Sequence, residues 1–226
     1  MEQAKRYGIF TLGMIFTALA VALFVKAAFG VTPVSSLTYV LSLVFPYSIG
    51  TFSFMVSCVA FLLQLLILRR TFPIHQWLQM PATAIFSICI DSWMKLFSGF
   101  TPDSLETRIT LLVLALFVHA VGVTLQVKGN VVMLPPEAFV HAIATHWHFR
   151  FGNVKIFFDT AFVLSAAAIS FHFLGNIQGI REATLISAFS TGFLQKCFTI
   201  YIPHWLKNRK KLAPASGPSS KERQAA

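Results

Sequence analysis

Two pairs of oppositely charged side chains lie inside apolar segments of this sequence. Lys155 and Asp159 are four residues apart, and so are Asp91 and Lys95. Residues at this spacing share one face of a helix, so each pair can neutralise itself as an ion pair. A charge inside an apolar segment is costly, so Asp159 is equally a candidate to bind a substrate or a proton. Both interpretations stay open for Lys155 and Asp159, and the same pairing is one interpretation of Asp91 and Lys95.

Further polar candidates lie near the start of two short apolar stretches that each begin with proline. Glu137 falls in the first turn of the second stretch, where the helix dipole favours an acid. Ser35 and Ser36 occupy the matching place in the first stretch. His141 follows Glu137 by one turn and can titrate near neutral pH. We expect these side chains to line a central cavity and to bind a substrate.

Arg181 starts the last long apolar segment. A cation at this place is typical of a membrane interface, which is the preferred interpretation. The alternative is that its guanidinium binds an anionic group of a solute. The candidate substrate-binding residues are therefore Ser35, Ser36, Asp91, Glu137, His141, Lys155, Asp159 and Arg181.

Motifs typical of catalysis and of metal binding do not occur in the sequence. The seven histidines form neither HExxH nor HxxxH, and His146 and His148 would point to different faces of a helix. The three cysteines form no CxxC pair, and GxSxG, Walker A and GxGxxG motifs are missing. The sequence therefore predicts no enzyme, no catalytic residues, no metal site, no cofactor and no hydrolysis of ATP by this chain.

The composition is that of a membrane protein. Of 226 residues, 56% are hydrophobic and 12% are charged, about half the usual charged share of a soluble domain. The net charge of +10 fits basic loops beside anionic lipid. No basic and aromatic surface module is left over to bind nucleic acid. The predicted partners are therefore the lipid bilayer and a small solute, and a homo-oligomer stays an open alternative.

Six segments have the length of about 20 apolar residues that a transmembrane helix needs. They are approximately Tyr7–Phe29, Gly50–Leu68, Ile74–Phe97, Arg108–Val127, Gly152–Leu174 and Arg181–Tyr201. The two stretches that begin with proline, Pro33–Phe45 and Pro135–Trp147, are shorter. They are predicted to be half-helices that enter the membrane and return, although crossing is the alternative.

The distribution of basic residues favours the re-entrant arrangement. It places 14 Lys and Arg residues on the cytoplasmic side and four outside, whereas two extra crossings would turn Arg69 and Arg70 outward. Both termini are then cytoplasmic, and the loop of residues 98–107 is external. Residues 1–206 form a single transmembrane domain, and residues 207–226 form a disordered basic cytoplasmic tail.

The two halves of the sequence share one order of features. At an offset of 102 residues Pro33 matches Pro135, and Gly50 matches Gly152. Each half has a long span, a short helix that begins with proline, a glycine and two long spans. Since three spans per copy is odd, the second copy must be inverted in the membrane. The predicted fold is an all-α integral membrane protein with a 3+3 inverted repeat, of which repeat 1 covers about 7–97 and repeat 2 about 108–201.

Three segments carry a resemblance to a known family. They are GVTP at residues 30–33, FGNVKIFFD at residues 151–159 and GIREAT at residues 179–184. With their flanking sequence they resemble the YczE/YyaS/YitT group of bacterial membrane proteins. The resemblance implies a multi-span protein of the bacterial inner membrane and names no solute. Relatives usually have a glycine where this chain has Ala183.

Inverted repeats with short or broken helices are typical of secondary transporters. The sequence therefore predicts a secondary transporter or exporter of a small solute, with its site between the two short helices. One alternative is a substrate-binding membrane subunit of a multi-component transporter. Another is a membrane scaffold or regulatory protein with no transport function.

Overall fold

All regular elements in the described part of the chain are helical. The structure is a computed structural model, and it describes residues 2–187 except 182 and 185. The α-helices are α1 (Glu2–Ala27), α2 (Pro33–Val44), α3 (Ile49–Leu68), α4 (Gln79–Leu96), α5 (Leu105–Gly129), α6 (Pro135–His146) and α7 (Phe151–Leu174). Two 3-10 helices, Arg69–Thr71 and Ile74–Leu78, connect α3 to α4. Most of the sixth predicted span, and the predicted tail 207–226, lie outside the described residues.

Four of these helices are long and apolar enough to cross a membrane: α1, α3, α5 and α7. The predicted span Ile74–Phe97 instead divides into a 3-10 helix and α4, which has 18 residues and is not among the four. Pro81 explains the division, because its ring would clash with a helical carbonyl four residues earlier. It lies in the first turn of α4, where the missing N–H costs nothing.

The two predicted short helices are present as separate elements, α2 and α6. Each has 12 residues and carries proline in its first turn. Twelve helical residues extend about 18 Å, well short of a hydrocarbon core of about 30 Å. α2 packs against α7 and α3, and α6 packs against α3 and α7.

Helices α1 and α5 form the central pair and run antiparallel. At one end, Arg6 of α1 donates hydrogen bonds to the carbonyls of Gly129 and Asn130, where α5 ends. At the other end, the guanidinium of Arg108 near the start of α5 lies over the ring of Phe29, just after α1.

Glycine allows the backbones of α1 and α5 to touch. A Cβ atom added to Gly13 would lie 2.7 Å from both the carbonyl oxygen of Gly122 and the backbone nitrogen of Gln126. A Cβ atom added to Gly122 would lie 2.7 Å from the backbone nitrogen of Thr17. Next to this crossing, Gln126 donates a hydrogen bond of 2.6 Å to the Thr17 hydroxyl. Any larger residue would force the two helices apart.

The helices before and after α2 meet it at the same end of the bundle. Ile49, the first residue of α3, packs with Val21 of α1 and Ile90 of α4 in one buried cluster. Phe97, just after α4, packs against the cluster that contains Phe24 of α1. The end of α1, the start of α3 and the end of α4 therefore lie in the same half of the molecule, and α2 does not carry the chain to the opposite half.

The helices after α4 begin and end at a constant distance in sequence from the helices at the start of the chain. α5 ends 102 residues after α1, both ends of α6 lie 102 residues after those of α2, and α7 begins 102 residues after α3. The residues that follow α1 and α5, Ala28 and Asn130, both adopt positive φ, at 56° and 48°.

Candidate functional site

The predicted ion pair on α7 is confirmed. Nζ of Lys155 lies 2.7 Å from Oδ1 of Asp159, and the two side chains are 28% and 18% exposed. The helix supplies this geometry, because residues four apart are neighbours on its surface. Both charges therefore lie partly buried on a helix that is otherwise apolar enough to cross a membrane.

Glu137 on α6 belongs with this pair. Pro135 and Pro136 are buried at the start of α6, whereas Glu137 next to them is exposed. α6 packs against α7, and Glu137 interacts electrostatically with both Lys155 and Asp159. Lys155 therefore forms its ion pair with Asp159 and acts electrostatically on a second carboxylate, which comes from a different helix.

His119 on α5 is a fourth member, which the sequence analysis missed. Its ring makes an edge contact with Phe24, 6.1 Å between centroids, and it interacts electrostatically with Lys155. Its Nδ1 atom is buried and has no hydrogen-bond partner among the described residues. The signal in the sequence is a single histidine within a predicted span. Here His119, Glu137, Lys155 and Asp159 are called the charged cluster.

The charged cluster has more acid than base when His119 is neutral. Two carboxylates against one ammonium leave one negative charge uncompensated beside the partly buried Lys155–Asp159 pair. Such a charge is stabilised by a bound cation, a bound proton or an exchange of ion-pair partners. The arrangement is therefore suited to binding a proton or a cationic group reversibly.

The remaining candidates on the short helices make local contacts. Ser36 is fully buried and donates to the carbonyl of Pro33 at 2.6 Å, so its hydroxyl is not open to a solute in this conformation. Ser35 accepts a hydrogen bond from the hydroxyl of Thr32. His141 is exposed, and its ring lies beside Phe151 at 6.3 Å between centroids.

Asp91 has a different partner from the one predicted. Its Oδ1 atom accepts a hydrogen bond of 2.8 Å from the backbone N–H of Gly50, and its Oδ2 atom accepts one of 2.6 Å from the hydroxyl of Ser48. Lys95 is exposed and forms no ion pair with Asp91 among the described residues. Asp91 therefore caps the start of α3, because a helix N-terminus offers unpaired N–H groups to a carboxylate.

Arg181 lies away from the charged cluster, at the end of the bundle where α1 ends. Together with Arg108 it lines a cavity of about 250 Å³. Its Nη1 atom donates to the carbonyl of Ala28 at 3.3 Å. Close by, the buried Ala183 donates its N–H to the carbonyl of Phe29 at 3.0 Å, so alanine at this position permits a close approach of the two loops.

The predicted site residues therefore occupy several places. Glu137, Lys155 and Asp159 come together with His119, Arg181 lies with Arg108, and Asp91 caps α3. The first group combines residues from three helices, α5, α6 and α7, and it is the strongest candidate for function.

Comparison with known proteins adds a family and no function. Neither the curated proteins nor the solved structures give a match to this chain. Residues 4–200 match a family of unknown function, DUF6198, along the whole length of the helical region described above. The chain therefore belongs to the family of unknown function DUF6198.

Proposed function

We propose that this protein is a secondary carrier of a small solute in the bacterial inner membrane. The observation that carries the proposal is the charged cluster, in which Glu137 on a short helix faces the Lys155–Asp159 pair on a long one. Charges within spans are expensive and are kept where they serve transport, proton relay or pairing. A short helix at membrane depth requires a protein environment or a cavity around its ends.

An inverted repeat is part of this proposal. Phe24 of α1 contacts His119 of α5. At the 102-residue offset Phe24 corresponds to Gln126 and Thr17 corresponds to His119, and Thr17 and Gln126 are also in contact. Two copies related in this way must be antiparallel, as α1 and α5 are. The short helices repeat this pattern: α2 packs on α7, and their counterparts α6 and α3 also pack on each other. With α4 and residues 181–201 counted as two further spans, the proposed arrangement has three spans per copy.

The two copies differ at the charged cluster. Lys155 and Asp159 correspond to Ser53 and Ser57 at the 102-residue offset, and Glu137 corresponds to Ser35. The carrier therefore has one charged side and one hydroxyl side in otherwise similar copies. Such asymmetry gives a single ion-binding site in a symmetric scaffold, around which one copy can rock against the other.

The step we propose is a change of partner at Lys155. With the cluster empty, Lys155 pairs with Asp159 at 2.7 Å, as observed. A proton or a cationic solute group that binds at Glu137 removes the competing negative charge. When it leaves, Glu137 again competes with Asp159 for the ammonium group. Since binding alters which ion pair is stable, it can bias two arrangements of α6 against α7.

A flux assay tests the proposal. The purified protein is reconstituted into proteoliposomes, and counterflow is measured for cationic, neutral and anionic small solutes with and without a pH gradient. We expect Glu137→Gln and Asp159→Asn to lower flux at least tenfold. Lys95→Gln, which removes an exposed charge outside the cluster, is the matched control and should retain flux.

Two results would count against the proposal. Folded wild-type protein that moves no solute of any class would remove the carrier function. Flux that survives both Glu137→Gln and Asp159→Asn would place the transport site elsewhere. Copurification of the inactive protein with an ATPase would favour the substrate-binding subunit of a multi-component transporter.

Kinship with the YczE/YyaS/YitT group remains a proposal drawn from the three sequence segments.

A further inference from the structure

A second place in the molecule has the features of a ligand site that the charged cluster does not use. It is the cavity of about 250 Å³ at the end of the bundle where α1 ends and α5 begins. Two arginines line it, Arg108 and Arg181, together with Tyr39 and Gln178. We call it the arginine cavity. A cavity of this size holds a small ligand rather than a single water molecule.

The two arginines are held close to each other. Cζ of Arg108 lies 6.0 Å, and Cζ of Arg181 5.6 Å, from the centre of the Phe29 ring. The two guanidinium carbons are therefore at most about 12 Å apart. No described acidic side chain forms an ion pair with Arg108. The positive charge of Arg108 therefore leaves a place for a negative charge beside it.

Arg108 retains unused hydrogen-bonding capacity. Its Nε atom is buried and has no partner among the described residues. A buried donor without a partner costs free energy, and more so when the group is charged. The guanidinium is a planar fork that matches the oxygens of a carboxylate or a phosphate. An oxyanion in the arginine cavity would give the Arg108 guanidinium a charged partner.

An internal comparison within the chain supports this interpretation. Arg6 lies 102 residues before Arg108, and it uses its guanidinium to bond the carbonyls at the end of α5. The equivalent carbonyl at the end of α1, that of Ala28, is already bonded by Arg181. Arg108 therefore does not cap the end of α1 in the way that Arg6 caps the end of α5. One arginine of the equivalent pair is structural, and the other faces a cavity.

The walls of the arginine cavity are fixed by backbone contacts. The N–H of Val31 donates to the carbonyl of Gly179 at 3.2 Å, which joins the loop after α1 to the loop after α7. Both Gly30 and Gly179 have positive φ, at 102° and 75°, as such tight loops require. A binding site with a fixed wall loses less entropy when its ligand binds.

We infer that the arginine cavity binds an oxyanion, either the phosphate or carboxylate of a free solute or the phosphate of a lipid headgroup. The site is distinct from the charged cluster, because Arg108 and His119 lie eleven residues apart on α5, about 16 Å along the helix. Phe24 lines the cavity and also contacts His119, so it separates the two sites. The inference does not depend on transport.

Thermal unfolding in detergent tests the inference for free anions. The midpoint of the wild type is measured against increasing inorganic phosphate, with chloride at equal ionic strength as the reference. We expect phosphate to raise the midpoint with a saturable dependence. Arg108→Gln and Arg181→Gln should each weaken the apparent affinity about tenfold or more, since each variant loses a charged hydrogen-bond donor to the anion. Lys95→Gln, at the same end of the molecule but outside the cavity, should leave it unchanged.

A second arm tests lipid headgroups. Protein in nanodiscs of phosphatidylcholine with or without phosphatidylglycerol is analysed for retained lipid by native mass spectrometry. Retention of phosphatidylglycerol by the wild type and by Lys95→Gln, and loss in both arginine variants, would assign the site to a headgroup. If neither phosphate nor phosphatidylglycerol distinguishes Arg108→Gln from Lys95→Gln, the inference is wrong. A variant that unfolds is replaced by Arg108→Lys, which keeps the charge but loses the fork and should still bind several-fold more weakly.

Discussion

Asp91 and Lys155 show how the partners of a partly buried charge define its role. Asp91 accepts hydrogen bonds from Ser48 and from the N–H of Gly50, so it stabilises the junction of α3 and α4. Lys155 forms an ion pair with Asp159, and it interacts electrostatically with Glu137 and His119 over a longer range. Residues of the same type and similar spacing therefore have different partners: Asp91 caps a helix, whereas Asp159 forms an ion pair with Lys155.

The capping role of Asp91 predicts a loss of stability in Asp91→Asn. An amide binds the N–H of Gly50 and the hydroxyl of Ser48 less well than a carboxylate, and it loses the interaction with the helix dipole. We expect destabilisation by about 1–2 kcal/mol. Lys95→Gln should be close to wild type in the same thermal unfolding measurement in detergent. Equal losses in the two variants would instead indicate an Asp91–Lys95 pair.

The charged cluster predicts that the stability lost when Lys155 is removed is recovered stepwise when its acidic partners are removed too. Lys155→Met leaves two carboxylates without their shared ammonium and should destabilise the protein by about 1–3 kcal/mol. Asp159→Asn added to it should recover part of the loss, and Glu137→Gln added to both should recover more. Unfolding midpoints of the three variants measure this order. If Glu137→Gln brings no further recovery, Glu137 does not share Lys155.

At the scale of elements, the packing of α1 on α5 depends on backbone contact. Gly13 can be compared with Gly8 on the same helix, because a Cβ atom added at Gly8 would meet nothing within 4 Å. Gly13→Ala should destabilise the protein by about 1–3 kcal/mol through overpacking. Gly8→Ala should be neutral or stabilising, since alanine favours a helix. Thermal unfolding of both variants checks the difference, and equal midpoints would show that the helices do not touch at Gly13.

The sequence predicted the elements better than it predicted the site. Proline at the start of α2 and α6, and apolar length in α1, α3, α5 and α7, are local signals, so these elements were found. The break before α4 depends on Pro81, whose effect was hidden by the apolar residues around it. His119 and Arg108 could not be found by spacing, because their partners lie on other helices. Only the packing of α5 against its neighbours brings His119 near Lys155 and Arg108 near Arg181.

At the scale of the whole molecule, the bundle has two ends with different contents. One end holds Arg6 and the 3-10 helices that follow α3, where basic residues are frequent. The other end holds the arginine cavity and the loop between α4 and α5. If the first end is cytoplasmic, as the positive-inside rule predicts, the arginine cavity opens toward the outer side of the membrane.

This orientation predicts the sides on which introduced cysteines react. In a background with Cys58, Cys89 and Cys197 changed to serine, Asp103→Cys should react in intact cells with a maleimide that cannot cross the membrane. Thr71→Cys, at the opposite end, should react only after the cells are permeabilised. Both positions are exposed, so access depends on the side of the membrane.

Tyr47 gives the most informative labelling position because it lies directly after α2. It is 57% exposed, and it belongs to the same end of the bundle as the loop with Asp103. If α2 enters the membrane and returns, Tyr47→Cys should label from outside, as Asp103→Cys does. If α2 crosses, Tyr47→Cys should label only after permeabilisation. The second result would give the first half of the chain a different number of crossings and would remove the inverted repeat, together with the carrier mechanism that depends on it.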